Sequence, residues 1–152
     1  MSSQWSGKSL LVLATCLTAS VAVAEPDLGM GEPWSLMSLA PVTISATATV
    51  SQSGAQNIAN TQQLGHNMAN TLQVGTGNVA RTTQAGTGQL ATIIQAGINN
   101  DASIEQDGIA NRADVIQEGV GNKAVVNQQG SYLTVRITQL GNNQYARVVQ
   151  TK

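Results

Sequence analysis

The sequence contains no phenylalanine, and two Trp and two Tyr bring aromatics to only 3% of its 152 residues. Charged residues make up 10%, against about 25% in ordinary globular domains. A core without large rings must be thin and filled by Ala, Val, Ile and Thr. Seven Lys+Arg stand against eight Asp+Glu, so the polybasic footprint that nucleic acid requires is missing. The single histidine, His66, sits in a Gly-containing turn and reads as a solvated loop residue. With one His and one Cys, no metal-ligand cluster or Ser-His-Asp set can be assembled. The Gly-rich turns lack the Lys-Ser/Thr partner of a phosphate loop, and no Gly-Gly-x-Gly-x-Asp calcium repeat occurs. Asp101, Glu105 and Asp107 fall at outward positions, where a surface role suits them better than acid–base work. The residues therefore point away from an enzyme, a cofactor, a metal or a small-molecule substrate.

The N-terminus is organised for export. Residues 1–24 carry one positive charge, Lys8, then the apolar run SLLVLATCLTASVAVA, and end in Ala22-Val23-Ala24, a small-x-small cleavage pattern. The run is too short for a spanning helix. Cys16 lies inside it, preceded by Thr15 and followed by further apolar residues, which argues against lipidation. Cleavage after Ala24 leaves a chain without cysteine and hence without disulfides. Residues 25–45 hold all three prolines and no periodicity, which prevents a long helix. This segment reads as a flexible leader, or as a docking tag whose apolar patch is Trp34, Leu36, Met37 and Leu39.

From Ala46 to Lys152 the chain is a repeat. Glutamine recurs at Gln52, Gln63, Gln73, Gln84, Gln95, Gln106, Gln117, Gln128, Gln139 and Gln150, eleven residues apart except for ten between Gln63 and Gln73. The deletion falls in the turn Gly65-His66-Asn67. Two residues after nine of these stands glycine: Gly54, Gly65, Gly75, Gly86, Gly97, Gly108, Gly119, Gly130 and Gly141. Two residues before each stands a β-branched residue, and four before stands Ala in nine cases and Val135 in the tenth. Six before stands asparagine at Asn57, Asn67, Asn78, Asn100, Asn111 and Asn122. Asn, Ala, β-branched and Gln at every second residue occupy one face of a strand.

The charges test this reading independently. Apart from Lys152, every charged residue after Ala46 lies at an odd offset from its Gln, on the opposite face. Burying unpaired charge costs several kcal/mol, so the segregation implies a dry interior. An eleven-residue period also suits a right-handed coiled coil. Here a Gly and usually an Asn per period, together costing about 1 kcal/mol or more per turn, argue against helix. Each period is expected to be a strand of six residues and a turn of five, with the glycine supplying positive φ.

Two such strands facing each other bury their inward columns, which predicts an all-β fold: a two-strand-per-coil, cross-β solenoid. Five coils of 22 residues result, with strand pairs at 48–63, 69–84, 91–106, 113–128 and 135–150. Stacked about 4.8 Å apart, each Gln lies on a Gln and each Asn on an Asn, so their amides can form ladders. The chain shows no polar cap at either end, and open edges recruit further strands. A fibre is the expected product. Residues 42–80 carry no charge, 101–118 are acidic, and 119–152 carry only Lys123, Arg136, Arg147 and Lys152. The first two coils are therefore expected to template and the basic last coil to anchor, through Arg136, Arg147 and Lys152.

The pattern Q-x-G-x-x-N-x-A-x-[IV]-x-Q, as in QAGINNDASIEQ (95–106) and QEGVGNKAVVNQ (117–128), resembles the curlin repeat of bacterial functional amyloid. The resemblance implies a protein exported through the periplasm and across the outer membrane by a dedicated secretion and assembly apparatus. Its family polymerises on the cell surface as adhesive biofilm fibres. Few Ser residues and a divergent, basic last coil (Leu133 and Gln144 in place of Asn, Val135 in place of Ala) resemble the minor, nucleating subunit. On that reading the partners are further copies of the chain and a major curlin-type subunit. A major fibre subunit and a monomeric β-solenoid adhesin, with Tyr132 and Tyr145 as contact residues, are the alternatives.

Overall fold

The computed structural model describes residues 10–17, as backbone, and residues 46–152. The leader 25–45 and most of the expected export segment lie outside the described residues. Eleven strands form two parallel sheets: β1 (Leu10–Leu17), β2 (Thr47–Ala55), β3 (Asn57–Leu64), β4 (Met68–Thr76), β5 (Val79–Thr87), β6 (Leu90–Ile98), β7 (Asp101–Ile109), β8 (Arg112–Val120), β9 (Lys123–Ser131), β10 (Thr134–Asn142) and β11 (Tyr145–Thr151). One sheet runs β1-β3-β5-β7-β9-β11 and the other β2-β4-β6-β8-β10. Consecutive strands from β2 onward alternate between the sheets, so β2–β11 form five coils of a β-solenoid. This is the fold class the repeat predicts.

Register follows the sequence period. Gln73 lies beside Gln52 and Gln95, and Gly97 beside Gly75 and Gly119. The one short interval is absorbed entirely in the turn between β3 and β4, because both flanking strand pairs keep Ala on Ala and Gln on Gln. A slip by one residue would turn every inward side chain to solvent, so the buried columns hold the register.

The strands are longer than six residues. Most run to nine, because pairing continues through the glycine two places after each Gln, as in Gly75↔Gly97. Chain reversal is left to a tight corner beyond it. That corner contains a second positive-φ position four residues after the Gln: Gly77, Gly88 and Gly121, but also Gln56, Asn99, Ala110, Tyr132 and Asn143. Asn tolerates this conformation, whereas Ala110 and Tyr132 adopt it at a cost of about 1 kcal/mol each. The N–H at this corner reaches back to the preceding coil, as in Asn99 N–H to Thr76 O (2.9 Å) and Tyr132 N–H to Ile109 O (2.9 Å), which offsets the strain.

The core is one residue thick on each side. Ala80, Ala91, Ile93, Ala102, Ile104, Ala113, Val115, Ala124, Val126, Val135 and Ile137 form its apolar cluster. In the first two coils the β-branched column holds half-buried Val50 and then the buried Thr61, Thr71 and Thr82. The interior thus becomes more apolar toward the C-terminal coils.

Two features differ from the expectation of bare ends and a purely solvated outer face. β1, within the expected export segment, pairs in parallel with β3 from Leu10↔Asn57 to Leu17↔Leu64. One edge of the first coil therefore carries a strand, while among the described residues β2 has a neighbouring strand on one side only. Asp114, in an outward column, is only 7% exposed. Arg112 on its own strand (3.1 Å) and Arg136 on the next (3.2 Å) close over its carboxylate. A carboxylate flanked by two guanidinium groups is shielded without being desolvated alone.

Amide ladders and end layers as the candidate assembly site

The ten repeat glutamines form two continuous ladders. In one sheet Gln52 Nε2 donates to Gln73 Oε1, Gln73 to Gln95 (2.7 Å), Gln95 to Gln117 (2.8 Å) and Gln117 to Gln139 (2.8 Å). In the other, Gln63 donates to Gln84 (2.8 Å), Gln84 to Gln106 (2.9 Å), Gln106 to Gln128 (2.8 Å) and Gln128 to Gln150 (2.7 Å). The glutamines of the inner coils are almost completely buried, Gln73, Gln95, Gln117 and Gln128 at 0% exposure.

From Gln63 onward each ladder amide also crosses the core. The second Nε2 hydrogen of Gln95 reaches Val79 O (2.9 Å), that of Gln73 reaches Ile58 O (3.0 Å) and that of Gln117 reaches Asp101 O (3.2 Å). A primary amide has two donor hydrogens and a carbonyl with two lone pairs. One hydrogen ties coil to coil and the other ties sheet to sheet. Sequence spacing brings the glutamines together; the crossing bond depends on the width of the solenoid.

Asparagine does a different job at the corners. Asn78 Nδ2 donates to Val74 O in its own turn (3.2 Å) and to Gly97 O of the next layer (3.0 Å). Its Oδ1 accepts the backbone N–H of Asn100 (3.1 Å). Asn57, Asn100, Asn111 and Asn122 repeat the bond to a glycine carbonyl of the next layer, on Gly75, Gly119, Gly130 and Gly141. Asn67 does so on Gly86 (3.1 Å) across the shortened turn. Each Asn is therefore a staple between the turn it closes and the glycine of the next layer. Except for Gly141 in the last coil, these glycines leave no space for a side chain: a Cβ on Gly75 would lie 2.9 Å from the carbonyl carbon of Gly97 and closer still to its oxygen.

One buried member of this set is missing from the asparagine pattern. Gln89 occupies the asparagine position before Gln95 and is 1% exposed. Its Nε2 makes both staple bonds, to Ala85 O (2.8 Å) and Gly108 O (3.2 Å). The longer side chain misplaces its Oε1, which is buried without a hydrogen-bond partner. A cavity of about 300 Å³ opens at the same corner, lined by Thr47, His66, Asn67, Met68, Gly88, Gln89 and Leu90. His66 belongs to this corner, beside the shortened turn. Replacing Gln89 by Asn sets Oδ1 where Asn67 and Asn111 hold theirs. The expected gain is about 1 kcal/mol, read as a higher urea midpoint with unchanged slope.

The end layers differ from the inner ones. Gln52 Oε1 and Gln63 Oε1, the first carbonyls of the two ladders, are shielded from water without a hydrogen-bond partner. At the other end Gln150 and Gln139 donate only across the core, to Thr134 O (3.3 Å) and Lys123 O (3.1 Å). Of the basic residues in the last coil, Arg136 is engaged with Asp114, while Arg147 and Lys152 pair with no acid among the described residues. Two further ion pairs run along the other sheet, Asp101 meeting Arg81 at 2.8 Å and Lys123 at 3.9 Å. Tyr132 and Tyr145 are exposed, at 75% and 64%.

The described residues contain no group of His, Cys, Asp and Glu able to hold a metal ion, and no described helix is long and apolar enough to cross a membrane. Searches of the curated proteins and of the solved structures return no match to the chain. Residues 75–108 and 110–141, spanning the inner coils from β4 to β10, match the family model of the curlin associated repeat.

Proposed function

We propose that this chain is a structural subunit of an extracellular, curli-type amyloid fibre, exported with removal of residues 1–24 and assembled at the cell surface. The observation that carries this reading is the pair of glutamine ladders, continuous through every coil and left with unmatched amide groups at the end layers. A further coil carrying the same columns supplies donors to the first ladder carbonyls and acceptors to the last ladder amides. The curlin associated repeats support the same role. Partners on this reading are further copies of the chain, a major curlin-type subunit and the outer-membrane secretion and assembly proteins. It acts without catalysis, cofactor or nucleic acid.

Within that role we assign it the minor, nucleating position. The low charge of residues 42–80 favours templating at the first coils, and unpaired Arg147 and Lys152 mark the last coil for attachment. Thioflavin T fluorescence of residues 25–152, diluted from denaturant, is expected to rise after a lag that preformed aggregate shortens. A flat trace from a β-rich monomer refutes the fibre reading. Deleting residues 135–152 is expected to release the protein from cells into the medium; undiminished retention removes the anchoring role.

A further inference from the structure

We infer that two copies of this chain pack side by side, joined through the outer faces of their β2-β4-β6-β8-β10 sheets. Such a pair runs along the flank of the solenoid and leaves its end layers free for fibre growth. The two outer faces of the solenoid differ in character. On the β3-β5-β7-β9-β11 sheet, charges occupy the middle strands, with Arg81, Asp101, Glu105, Asp107 and Lys123. On the other sheet β2, β4 and β6 carry no charged residue. Its central outward column, one residue before each Gln, runs Ser51, Leu72, Ile94, Ile116, Thr138. Three adjoining layers thus turn a branched aliphatic side chain outward, flanked by the exposed Val74, Ile98 and Val120.

The face is large enough for a stable pair. Five strands, mostly nine residues long, cover roughly 24 by 30 Å at the usual strand spacing and rise. Two such faces together bury roughly 1,400 Å², within the range of specific protein interfaces. A flat sheet whose side chains recur at every layer fits a partner with the same repeat. A second copy supplies that repeat.

The charges on this face are complementary to themselves. A two-fold axis parallel to the stack, through the central column, sets Leu72, Ile94 and Ile116 each against its counterpart. It also sets Leu90, four places before that column, against Ile98, four places after it. Arg136 and Asp114 lie two places before the column in neighbouring layers, and Glu118 lies two places after it. Arg136 leans back one layer to Asp114 (3.2 Å), which brings its guanidinium level with β8, the strand of Glu118. Glu118 is exposed and pairs with no base among the described residues. Because Arg112 and Arg136 cover Asp114, Glu118 of the partner copy meets guanidinium there and not carboxylate. The symmetry forms this ion pair twice. On the other sheet Glu105 holds the central column, so the same operation opposes Glu105 to Glu105, a like-charge contact that disfavours pairing.

Mass per length, measured by scanning transmission electron microscopy on fibres of residues 25–152, tests the pairing. A copy of five layers advances about 24 Å, and two chains per such advance are expected. Ile94→Lys, at the centre of the face, is expected to halve that value while fibres still form. Glu118→Lys, which opposes lysine to Arg136, is expected to do the same and leaves the apolar column intact should Ile94→Lys fail to fold. Thr83→Lys, exposed in the matching column of the other sheet, is expected to change nothing. One chain per advance in the parent, Ile94→Lys and Glu118→Lys fibres as heavy as the parent, or halving by Thr83→Lys overturns the pairing and leaves the fibre reading standing. If the parent forms no thioflavin-positive fibre, the fibre reading fails alone, and sedimentation of the soluble chain then decides the pairing. A dimer that Ile94→Lys reduces to monomer upholds it, and a monomeric parent overturns it.

Discussion

Replacing Gly97 by Ala is expected to destabilise the solenoid by about 4 kcal/mol or more, the range reserved for changes the structure cannot absorb. The added Cβ would stand 2.9 Å from the carbonyl carbon of Gly119 and nearer to its oxygen. Both atoms are backbone within a strand pair that runs from Leu90↔Arg112 to Ile98↔Val120, so relief requires pulling β6 from β8. Gly97 also has φ of 119°, which a side chain disfavours independently. The Gly119 carbonyl is besides the acceptor for Asn100 Nδ2 at 3.0 Å, so displacing it unfastens a corner as well. Ile98→Ala, at the adjacent residue with 47% exposure, serves as the control and is expected to change stability by less than about 1 kcal/mol. Urea unfolding followed by circular dichroism separates the two variants, and near-equal midpoints would refute the steric account.

Gln95→Glu is expected to make the stack conditional on acid. Residue 95 is fully buried, accepts from Gln73 and donates to Gln117 and to Val79 O. A protonated carboxyl replaces most of this: its carbonyl accepts from Gln73 and its hydroxyl donates to Gln117, with only the crossing bond lost. An ionised carboxylate keeps no donor, and a buried charge without a counter-ion costs several kcal/mol. Burial therefore raises the folded-state pKa of this Glu above its unfolded value of about 4.3. The sign follows: stability is fully present below the unfolded pKa and is lost as pH rises through the higher folded pKa. The variant is expected to assemble near pH 4 with a thioflavin signal like that of the parent, and to fail at pH 7. Gln95→Leu, which cannot titrate, is expected to lose about 1–3 kcal/mol at both pH values by orphaning Gln117 Oε1. Equal assembly of Gln95→Glu at both pH values would place residue 95 in contact with water, contrary to the buried ladder.

The placement of the repeat on the fold was legible because both of its signals are local and periodic. Alternation at period two separates Ala91, Ile93 and Gln95 from the outward residues, and recurrence at eleven aligns each with its counterpart. In-register parallel stacking is the simplest arrangement that satisfies both. Glycine was legible as a turn residue, yet its stricter requirement is steric and comes from the adjacent strand, which no single repeat reveals. The second positive-φ position was written in the sequence as Gly77, Gly88 and Gly121 alternating with Asn99 and Asn143. Ala110 and Tyr132 at the same position obscure it, because a hydrogen bond to the preceding coil outweighs their local preference.

What the sequence determined alone was the period, the inward and outward faces, and hence a five-coil solenoid. What the tertiary structure decided was everything that depends on which atom of a side chain meets which neighbour. Gln89 looks like a conservative exchange for asparagine and proves to orphan a carbonyl. Asp114 looks solvated and proves to be covered by Arg112 and Arg136. The direction of the amide ladders is the clearest case. A column of glutamines has no direction in one dimension; it acquires one when the second amide hydrogen finds a carbonyl across the core and leaves the other to point along the stack.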